Sequence, residues 1–328
     1  MSAARSDRRR RATAALGLPW AAWAALRLSG TERGFPLVPA MTFTPYAALT
    51  AVVPCGLALR AGSRGGALLA GGAGAALGAA VLADRRPRRA ARSALPARPP
   101  GRRLRVATVS LRLGLVPARS VLELVRGNAV DVLSVQELTP RAEERLRDAG
   151  IAALLPHAVV IPARAGSVPA ASGAVWSRLP LRAAGAVPGS FEQPTVRISG
   201  SGGPDVELTA VHVLPPSTST DLVRGWTADL AALPGPEDGV LRVLAGDFNA
   251  SMDHAAFRAV LARGYRDAAR EAGRAMVWTW APLRSRFPRL AIDHVLVDPR
   301  IGVVSVDVVP VAGSDHRAIV ADLELPGG

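Results

Sequence analysis

The stretch GDFNAS, residues 246–251, decides the predicted fold. It follows a short, apolar, β-branched run, residues 240–245, flanked by glycines, which is typical of a buried strand. Side chains alternate along a strand, so Asp247 and Asn249 would face the same side. A carboxylate beside a carboxamide suits a hydrated metal ion and a phosphoryl oxygen. The alternative is a strand-to-helix turn, in which Asp and Asn cap the backbone and glycine provides the bend.

The charge of the 328-residue chain is distributed unevenly. All 40 basic residues are arginines. Residues 1–105 contain 18 Arg against three acids, a net charge of +15, whereas residues 106–328 have a net charge of −1. The basic excess therefore flanks apolar segments and indicates a membrane more than a nucleic acid. The only cysteine, Cys55, cannot form an internal disulfide and says nothing about the compartment.

The first 83 residues are predicted to be a transmembrane region. Uncharged stretches of 26 and 19 residues lie between Arg33 and Arg60 and between Arg64 and Asp84, and about 20 residues of helix cross a membrane. A shorter apolar segment precedes them, in which Arg27 would reach the interface. About three spans are expected, near residues 12–28, 37–59 and 66–83. A cleaved signal peptide at the N-terminus is the alternative.

Residues 84–103 form an arginine- and proline-rich segment that predicts an extended linker. With three spans, a cytoplasmic N-terminus places everything after the linker outside the cell. This orientation conflicts with the tendency of arginine-rich segments to remain inside. The expectation is a multi-pass protein of the cell membrane with an extracytoplasmic catalytic part, and the conflict stays open.

From residue 104 to residue 326, strand-like runs alternate with amphipathic helices, which indicates one α/β domain of layered sheets. Strands are expected at residues 104–111, 130–137, 173–177, 181–187, 195–199, 205–213, 240–245, 275–280, 292–298, 301–311 and 317–325. Helices are expected at residues 119–128, 139–149, 217–233 and 254–261.

Four further polar motifs stand at the ends of predicted strands. They are Gln136-Glu137, His212, Asp293-His294 and the stretch SDHR at residues 314–317. Polar residues at the ends of apolar strands can converge on one rim of a sheet sandwich. Three of the five histidines fall in these motifs, which favours a site over a set of unrelated turns.

Together these motifs resemble the endonuclease/exonuclease/phosphatase superfamily, the DNase I-like metal-dependent phosphohydrolases. The resemblance covers about residues 104–326, with the motifs LRVATVS, DVLSVQE, SRLPL, VH, GDFNAS, IDHVL and GSDHRAI in the family's order. It implies a four-layer α/β sandwich, two packed mixed β-sheets flanked by helices, with the site at the strand ends. The three preceding spans and the stretches FEQPTVRI and VHVLPP are similar to the membrane-anchored VanJ-like actinobacterial subgroup, which is linked to undecaprenyl diphosphate.

The resemblance assigns roles to matching residues. Glu137, helped by Asp315, would hold a divalent metal, Mg²⁺ or Mn²⁺, since hard ions prefer carboxylate oxygen. Asp247 would position or deprotonate the attacking water, and Asn249 would donate a hydrogen bond to it or to the phosphate.

The remaining roles fall to histidines. His212 would donate to a non-bridging phosphate oxygen, and His316, oriented by Asp293, would stabilise charge or move a proton. Arg178 is expected to support the site by pairing with a carboxylate. His294 and His157 are expected to be structural.

Two positions carry further expectations. The family's first strand usually ends in Asn within a T-x-N pattern, but here Ser110 follows Thr108 and Val109. A hydroxyl is a poorer partner than a carboxamide, which raises the alternative of a degenerate, inactive relative. Asp253 is expected to be a helix N-cap.

Three functions remain open at this point. The first is a membrane-anchored, metal-dependent phosphohydrolase that cleaves a phosphoester or diphosphate, for instance in a lipid-linked envelope intermediate. The second is an anchored nuclease, disfavoured by the near-zero charge and few aromatics of the domain. The third is a non-catalytic module that uses a decayed site for binding.

Overall fold

The structure is a computed structural model that describes residues 12–13, 15–87, 102–199 and 205–327. The N-terminal helices are α1 (Leu18–Ser29), α2 (Leu37–Met41), α3 (Thr44–Thr50), α4 (Val52–Arg60) and α5 (Arg64–Arg85). The later helices are α6 (Ala118–Gly127), α7 (Pro140–Asp148), α8 (Thr220–Ala232), α9 (Ala255–Ala262) and α10 (Ala268–Glu271), with short 3₁₀ turns at Ile151–Ala153 and Pro169–Ala171.

Twelve strands are seen in the described residues, and they form two mixed six-stranded sheets. They are β1 (Arg103–Ser110), β2 (Val132–Leu138), β3 (His157–Ile161), β4 (Ser172–Ser177), β5 (Leu181–Val187), β6 (Gln193–Ile198), β7 (Val206–His212), β8 (Leu241–Asp247), β9 (Arg266–Asp267), β10 (Asp293–Val297), β11 (Gly302–Pro310) and β12 (Arg317–Glu324). One sheet has the order β11, β12, β1, β2, β4, β3, and the other has the order β5, β6, β7, β8, β10, β9. Within each sheet one central pair, β1 with β2 and β7 with β8, is parallel.

The two sheets pack face to face, and helices cover their outer faces. In β8, for example, Val243 and Ala245 point into the core between the sheets, whereas Leu244 packs outward with α8 and α9. On the other sheet, α6 and α7 pack in the same way. Because both faces of a central strand are buried, its sequence is a nearly continuous apolar run. The predicted sandwich of two packed mixed sheets flanked by helices is therefore confirmed.

One predicted strand is absent, and two strands, β3 and β9, were not predicted. The stretch AMVWTW at residues 275–280 is a loop that is held by side-chain contacts with neighbouring segments. The Thr279 Oγ1 accepts hydrogen bonds from the backbone N–H groups of Ile292 and Asp293, both at 3.0 Å. Trp278 covers the guanidinium of Arg317, with 3.6 Å between the cation and the ring centre. Conversely, β3 was missed because an edge strand that is half-exposed lacks a clear alternation.

The N-terminal region differs from three continuous spans. Among the described residues, one helix, α5, is long and apolar enough to cross a membrane. Helix α1 has 12 residues and is too short to span. The expected span 37–59 is divided into three helices, because Pro45 and Pro54 each lack an N–H and clash with the carbonyl four residues earlier. The three-span topology stays a prediction, and most of the predicted linker 84–103 lies outside the described residues.

Close packing joins these helices. A Cβ on Gly74 of α5 would lie 2.6 Å from the Cβ of Ala51, so glycine is needed where the segment between α3 and α4 crosses α5. Ala24, Ala47, Ala73 and Leu77 form the buried centre of this small bundle. Small side chains let helix backbones approach closely.

A buried ion-pair cluster ties this bundle to the sandwich. Arg27 of α1 and Arg85 of α5 bind the fully buried carboxylate of Asp253, at 3.1 and 2.5 Å. Arg27 also pairs with Asp84. Arg27 was expected at the membrane interface, but it is 4 % exposed, because it points toward the sandwich rather than toward lipid.

The expectation that Asp253 is a helix N-cap was wrong. Helix α9 begins at Ala255, and its first N–H donates to the Oε1 of Glu32 at 2.5 Å. A carboxylate from the N-terminal region therefore stabilises the positive end of a helix in the sandwich. Asp253 is free to pair with the two arginines.

We expect Asp253→Asn to lower the free energy of unfolding by roughly 3–5 kcal/mol, because it removes the carboxylate that the two buried arginines share and leaves Arg27 with Asp84 as its remaining ion-pair partner. Glu143→Gln is the matched control: its exposed pair with Arg147 is worth less than about 1 kcal/mol. Chemical denaturation of the detergent-solubilised, full-length variants measures both. Equal losses in the two variants would show that the cluster does not hold the bundle to the sandwich.

Candidate functional site

The polar strand ends meet at one edge of the sandwich. In one sheet, the parallel strands β1 and β2 pair at their ends through Ser110 and Gln136. In the other sheet, His212 and Asp247 are partners at the ends of β7 and β8, and Asp293 begins the antiparallel β10 opposite Asp247. The ends of parallel strands and the start of an antiparallel neighbour thus lie at the same edge.

Six of the predicted residues line one cavity of about 520 Å³. They are Glu137, His212, Asp247, Asn249, Asp315 and His316. Asp293 contacts this cavity through His316. The structure therefore brings together all the residues that were expected to act on a substrate or a metal.

Asp247 and Asn249 are adjacent for a reason other than strand alternation. Strand β8 ends at Asp247, and Asn249 lies beyond it with a left-handed backbone, φ 45°. The Asn249 backbone N–H donates to Asp247 Oδ1 at 2.8 Å, and its side-chain amide donates to the Val213 carbonyl at 2.9 Å and to Asp247 Oδ2 at 3.3 Å. The turn fixes the Asp247 carboxylate and holds the carboxamide beside it.

Gly246 belongs to the strand and does not provide a bend. A Cβ at this position would lie 1.9 Å from the Val211 carbonyl oxygen of β7. Only glycine allows β7 and β8 to approach this closely where they deliver His212 and Asp247.

His316 is a buried imidazolium. Its Nδ1–H donates to the Asp293 carboxylate at 2.9 and 3.1 Å, and its Nε2 lies 4.0 Å from Asp247 Oδ2. Burial acts to lower the pKa of His316, but the charge and hydrogen bond of Asp293, with help from Asp247 and Asp315, outweigh it and raise the pKa to about 10. The ring is therefore positively charged at neutral pH.

The carboxyl group of Asp247 is more basic than usual. Burial, reinforced by the charge of Asp293, raises its pKa well above the ordinary value, although the His316 charge opposes this shift. A carboxylate with a raised pKa accepts a proton from water more readily. Asp247 is thus suited to be a general base, with a cation 4.0 Å away.

His212 is neutral. Burial, together with the charge of His316, lowers its pKa to about 3. Its ring stacks on Phe191 with 4.3 Å between ring centres, and its backbone N–H donates to the side chain of Gln193. Its Nδ1 is buried and has no hydrogen-bond partner among the described residues. Because His212 lines the cavity, its neutral ring with an unsatisfied nitrogen is suited to bind a ligand oxygen.

Glu137 has a strained backbone, φ 54°, at an irregularity where the pairing of β2 with β4 shifts. Such a bulge changes the direction of a side chain, and strain of this kind is concentrated at functional sites. The Glu137 Oε2 accepts from the Leu113 N–H at 2.5 Å. The other predicted metal ligand, Asp315, accepts from the Trp280 indole N–H at 3.2 Å through Oδ2, while its Oδ1 is buried without a partner among the described residues.

Two groups of side chains are suited to a metal ion. Ligand atoms of Asp247, Asp293 and His316 lie within 4.8 Å of one another, and this buried cluster could hold one. However, His316 is protonated there and donates to Asp293, so its positive charge opposes a cation. Glu137 and Asp315 offer carboxylate oxygens, one of them unpartnered, which fits a hard divalent ion better.

Ser110 and Arg178, the two residues that were expected to support the site, lie at opposite ends of their sheet's strands. Ser110 is buried and pairs with Gln136 at the ends of β1 and β2, and its Oγ has no partner among the described residues. Arg178 does pair with a carboxylate, Asp131 at 3.5 Å, but it lies next to the start of β2, at the opposite end from Glu137. The expectation that Arg178 supports the site was wrong, because strand β4 runs antiparallel to β2.

Two other histidines make structural contacts, as expected for His294. Its two ring nitrogens contact Asp267 and the Ala250 carbonyl, both at 2.8 Å. His254 has a role that the sequence did not suggest. Its Nδ1 accepts from the Ser251 N–H at 2.9 Å, so its Nε2–H donates to the Val38 carbonyl of α2 at 3.1 Å. His254 therefore joins the loop after Asn249 to the N-terminal helices.

Sequence reasoning also missed several cavity residues. Phe191, which stacks on His212, begins the stretch FEQPTVRI but was given no role, and Trp280, which donates to Asp315, was given none either. Pro39 and Phe43, from the N-terminal region, line the same cavity. Nothing in a local pattern of apolar residues distinguishes a side chain that lines a cavity from one that faces lipid.

The sequence profile of the endonuclease/exonuclease/phosphatase family matches residues 108–316. Among solved structures, an endonuclease/exonuclease/phosphatase from Beutenbergia cavernae has 23 % identity and a TM-score of 0.54, covering 69 % of this chain and 72 % of its own. A functionally unknown conserved protein from Enterococcus faecalis has 14 % identity and a TM-score of 0.52, covering 69 % and 100 %.

D. rerio TDP2, solved with a single-strand DNA product, has 14 % identity and a TM-score of 0.50, covering 68 % and 99 %. Likenesses at these identities show the fold alone. Comparison with curated protein sequences found no match.

We expect acid to weaken the His254 link. Burial lowers the pKa of His254 to about 4 from its ordinary 6.5, so the unfolded chain binds a proton between these pH values and the folded protein does not. The contribution of this buried neutral ring to the free energy of unfolding is fully present above pH 6.5. It falls as the pH drops toward 4, by up to roughly 3 kcal/mol.

The variant His254→Gln keeps a donor and an acceptor but does not titrate. Its unfolding free energy should therefore fall less than that of the wild type between pH 6.5 and 4, as measured by denaturation at a series of pH values. Parallel curves for the two proteins would contradict the assignment of the buried neutral ring.

Proposed function

The chain belongs to the endonuclease/exonuclease/phosphatase family, and from this premise we propose that it is a divalent-metal-dependent phosphohydrolase that cleaves a phosphoester or diphosphate bond. Members of the family are generally metal-dependent phosphoester hydrolases or nucleases. The observation that carries the proposal is the pairing, within one cavity, of a basic Asp247 carboxylate with the His316–Asp293 imidazolium 4.0 Å away.

In this proposal each side chain has a separate role in the in-line attack of water on phosphorus. Asp247 accepts a proton from the water, and the Asn249 carboxamide orients that water or the phosphate. His316 provides positive charge toward the phosphoryl oxygens, and Asp293 keeps the ring protonated and correctly turned. His212, neutral and stacked on Phe191, donates to a non-bridging oxygen. Charge provided in advance inside a cavity stabilises a transition state more than the same charge in water.

Glu137 and Asp315 are the residues that would hold Mg²⁺ or Mn²⁺ in this site. When bound, such an ion supplies Lewis-acid stabilisation of charge on the phosphoryl group. The unpartnered, buried Oδ1 of Asp315 supports this placement, since a buried polar atom without a partner is rare.

We further propose that the enzyme is anchored in the cell membrane as a multi-pass protein, with the catalytic part extracytoplasmic. The long apolar helix α5 and the apolar side chains exposed on the N-terminal helices support the anchor; Leu49, Val52, Leu59 and Leu68 are each at least 63 % exposed. An anchored site meets lipid-linked phosphates at high effective concentration. A lipid-linked envelope intermediate such as undecaprenyl diphosphate is therefore the proposed substrate.

A nuclease is the competing function, because nucleic acids are among the substrates of the family. The described residues that line the cavity include no arginine, and the chain has no lysine. A track for a polynucleotide backbone generally needs such cations. A decayed binding module, motivated by Ser110, is the third possibility and predicts no turnover at all.

We expect Glu137→Ala and His316→Ala each to lower kcat about a hundredfold or more, because each removes a charge aimed at the reacting phosphate. Glu143→Ala and His157→Ala are matched controls outside the cavity and should keep full activity. The assay is hydrolysis of a lipid diphosphate, a general phosphodiester and DNA, with chelator and after adding back Mg²⁺ or Mn²⁺. Thermal denaturation of each variant checks that it is folded.

The panel separates the three functions. Activity on DNA with none on the lipid diphosphate would replace the phosphohydrolase proposal by the nuclease. No metal-dependent release from any substrate would favour the decayed module. Wild-type activity in both alanine variants would overturn the site assignment.

The orientation has its own test. The segment 84–103 is rich in arginine, so trypsin added to intact cells should cut it if it lies outside, releasing a fragment of the size of the catalytic part. Cleavage only after the cells are broken would place the catalytic part in the cytoplasm. A cytoplasmic protein of known location serves as the control for cell integrity.

A further inference from the structure

The cavity has a second set of lining residues that the proposed mechanism does not use. Pro39 and Phe43 come from the N-terminal helices, and Pro288 and Leu290 come from the segment before β10. We call these four residues the apolar wall. None of the four side chains carries a polar group, although Thr42 beside Phe43 also lines the cavity, whereas Glu137, His212, Asp247, Asp315 and His316 lie at the strand ends. One cavity thus combines a polar catalytic part with an apolar part from separate elements.

The apolar wall is held in place by contacts between its two segments. The Tyr46 hydroxyl of α3 donates to the Arg289 carbonyl at 2.8 Å and accepts from the Arg289 N–H at 2.9 Å. The Tyr46 ring also contacts Phe43 and Phe287, with 6.2 and 5.1 Å between ring centres. Together with the His254–Val38 hydrogen bond, these contacts fix the N-terminal helices against the catalytic cavity.

The size of the cavity indicates a ligand larger than a phosphoryl group. At about 520 Å³ it falls within the range of pockets that enclose whole small molecules, roughly 300–1,000 Å³. Leu113 and Val168 also line it while being 62 % and 57 % exposed, so the apolar surface continues to the mouth. A chain attached to the phosphate would therefore meet apolar side chains inside the cavity and exposed apolar side chains in its lining.

We propose that the apolar wall binds the aliphatic chain of a lipid phosphate, so that the N-terminal helices form part of the substrate site as well as an anchor. Phe43 is then a residue that determines specificity. The proposal rests on the proposed phosphohydrolase function for the role of the phosphate end, but it assigns a separate subsite with its own ligand chemistry.

Binding tests this subsite independently of turnover. Methyl-, butyl- and octylphosphonate share one head group and differ only in chain length. Each methylene that the wall covers should tighten binding by up to about fourfold. In isothermal titration of the full-length protein with Mg²⁺, we expect Kd to fall by at least about tenfold from the methyl to the octyl compound.

Two variants test whether the apolar wall causes this dependence of Kd on chain length. Phe43→Ala should flatten the dependence on chain length and leave the methylphosphonate Kd unchanged, since the phosphonate end lies with the strand ends. Leu290→Ala, from the other segment, should do the same. Phe35→Ala is the matched control: Phe35 is 47 % exposed and lies outside the cavity, so its series should follow the wild type in the same detergent.

The outcomes separate this inference from the proposed function. A Kd that does not depend on chain length, or a Phe43→Ala series with the wild-type slope, overturns the subsite even if phosphodiesters are hydrolysed. A chain-dependent Kd that is lost in Phe43→Ala supports the subsite even if no hydrolysis is found, and then the proposed function fails alone. Tighter binding of a short oligonucleotide than of octylphosphonate, lost in the same variant, would assign the wall to nucleobases and overturn the proposal.

Discussion

The buried carboxylate of Asp253 is the constraint on which the arrangement of this protein depends. It lies between Arg27 and Arg85, which belong to different N-terminal helices, and only four residues after Asn249. Burying three charges is costly unless they are paired, so each partner is stable only where the other two are. The cluster therefore sets where the helical bundle sits relative to the catalytic loop. Through the same docking, Pro39 and Phe43 reach the cavity.

A second constraint holds the two sheets in register near the site. Thr108 of β1 donates to the Gln136 side chain, Gln136 donates to Ser134, and Ser134 donates to the Ala245 carbonyl of β8, with distances of 2.7–2.9 Å. This buried series of hydrogen bonds crosses from one sheet to the other and reaches β8 two residues before Asp247. A fully satisfied polar network inside a core favours one arrangement over its neighbours. It explains how residues from two separate sheets form one site.

Local patterns in the sequence were enough for the sandwich and for most of the site. Central strands such as β8 were recognisable because their apolar runs are short and end in polar residues, and Glu137, His212, Asp247 and His316 each stand at such an end. Partners that depend on tertiary contacts were not recognisable. Asp253 has the appearance of a helix cap until Arg27 and Arg85 are placed beside it, and Arg178 has the appearance of a site residue until β4 is seen to run the other way. Asn249 lies beside Asp247 as expected, but a turn and not the alternation of a strand places it there.

Glu32 caps α9 from outside the part of the chain that matches the family, and this limits how such proteins can diversify. The family match spans residues 108–316, yet the first N–H of α9 and the Asp253 carboxylate both find their partners before residue 86. The catalytic domain therefore has an incomplete surface that only its own N-terminal helices complete. Recombination that joined this domain to unrelated N-terminal helices would expose that surface and remove one side of the cavity. The N-terminal helices and the family domain are thus expected to be inherited together, with the shape of the cavity changing through substitutions in the helices as much as through changes at the strand ends.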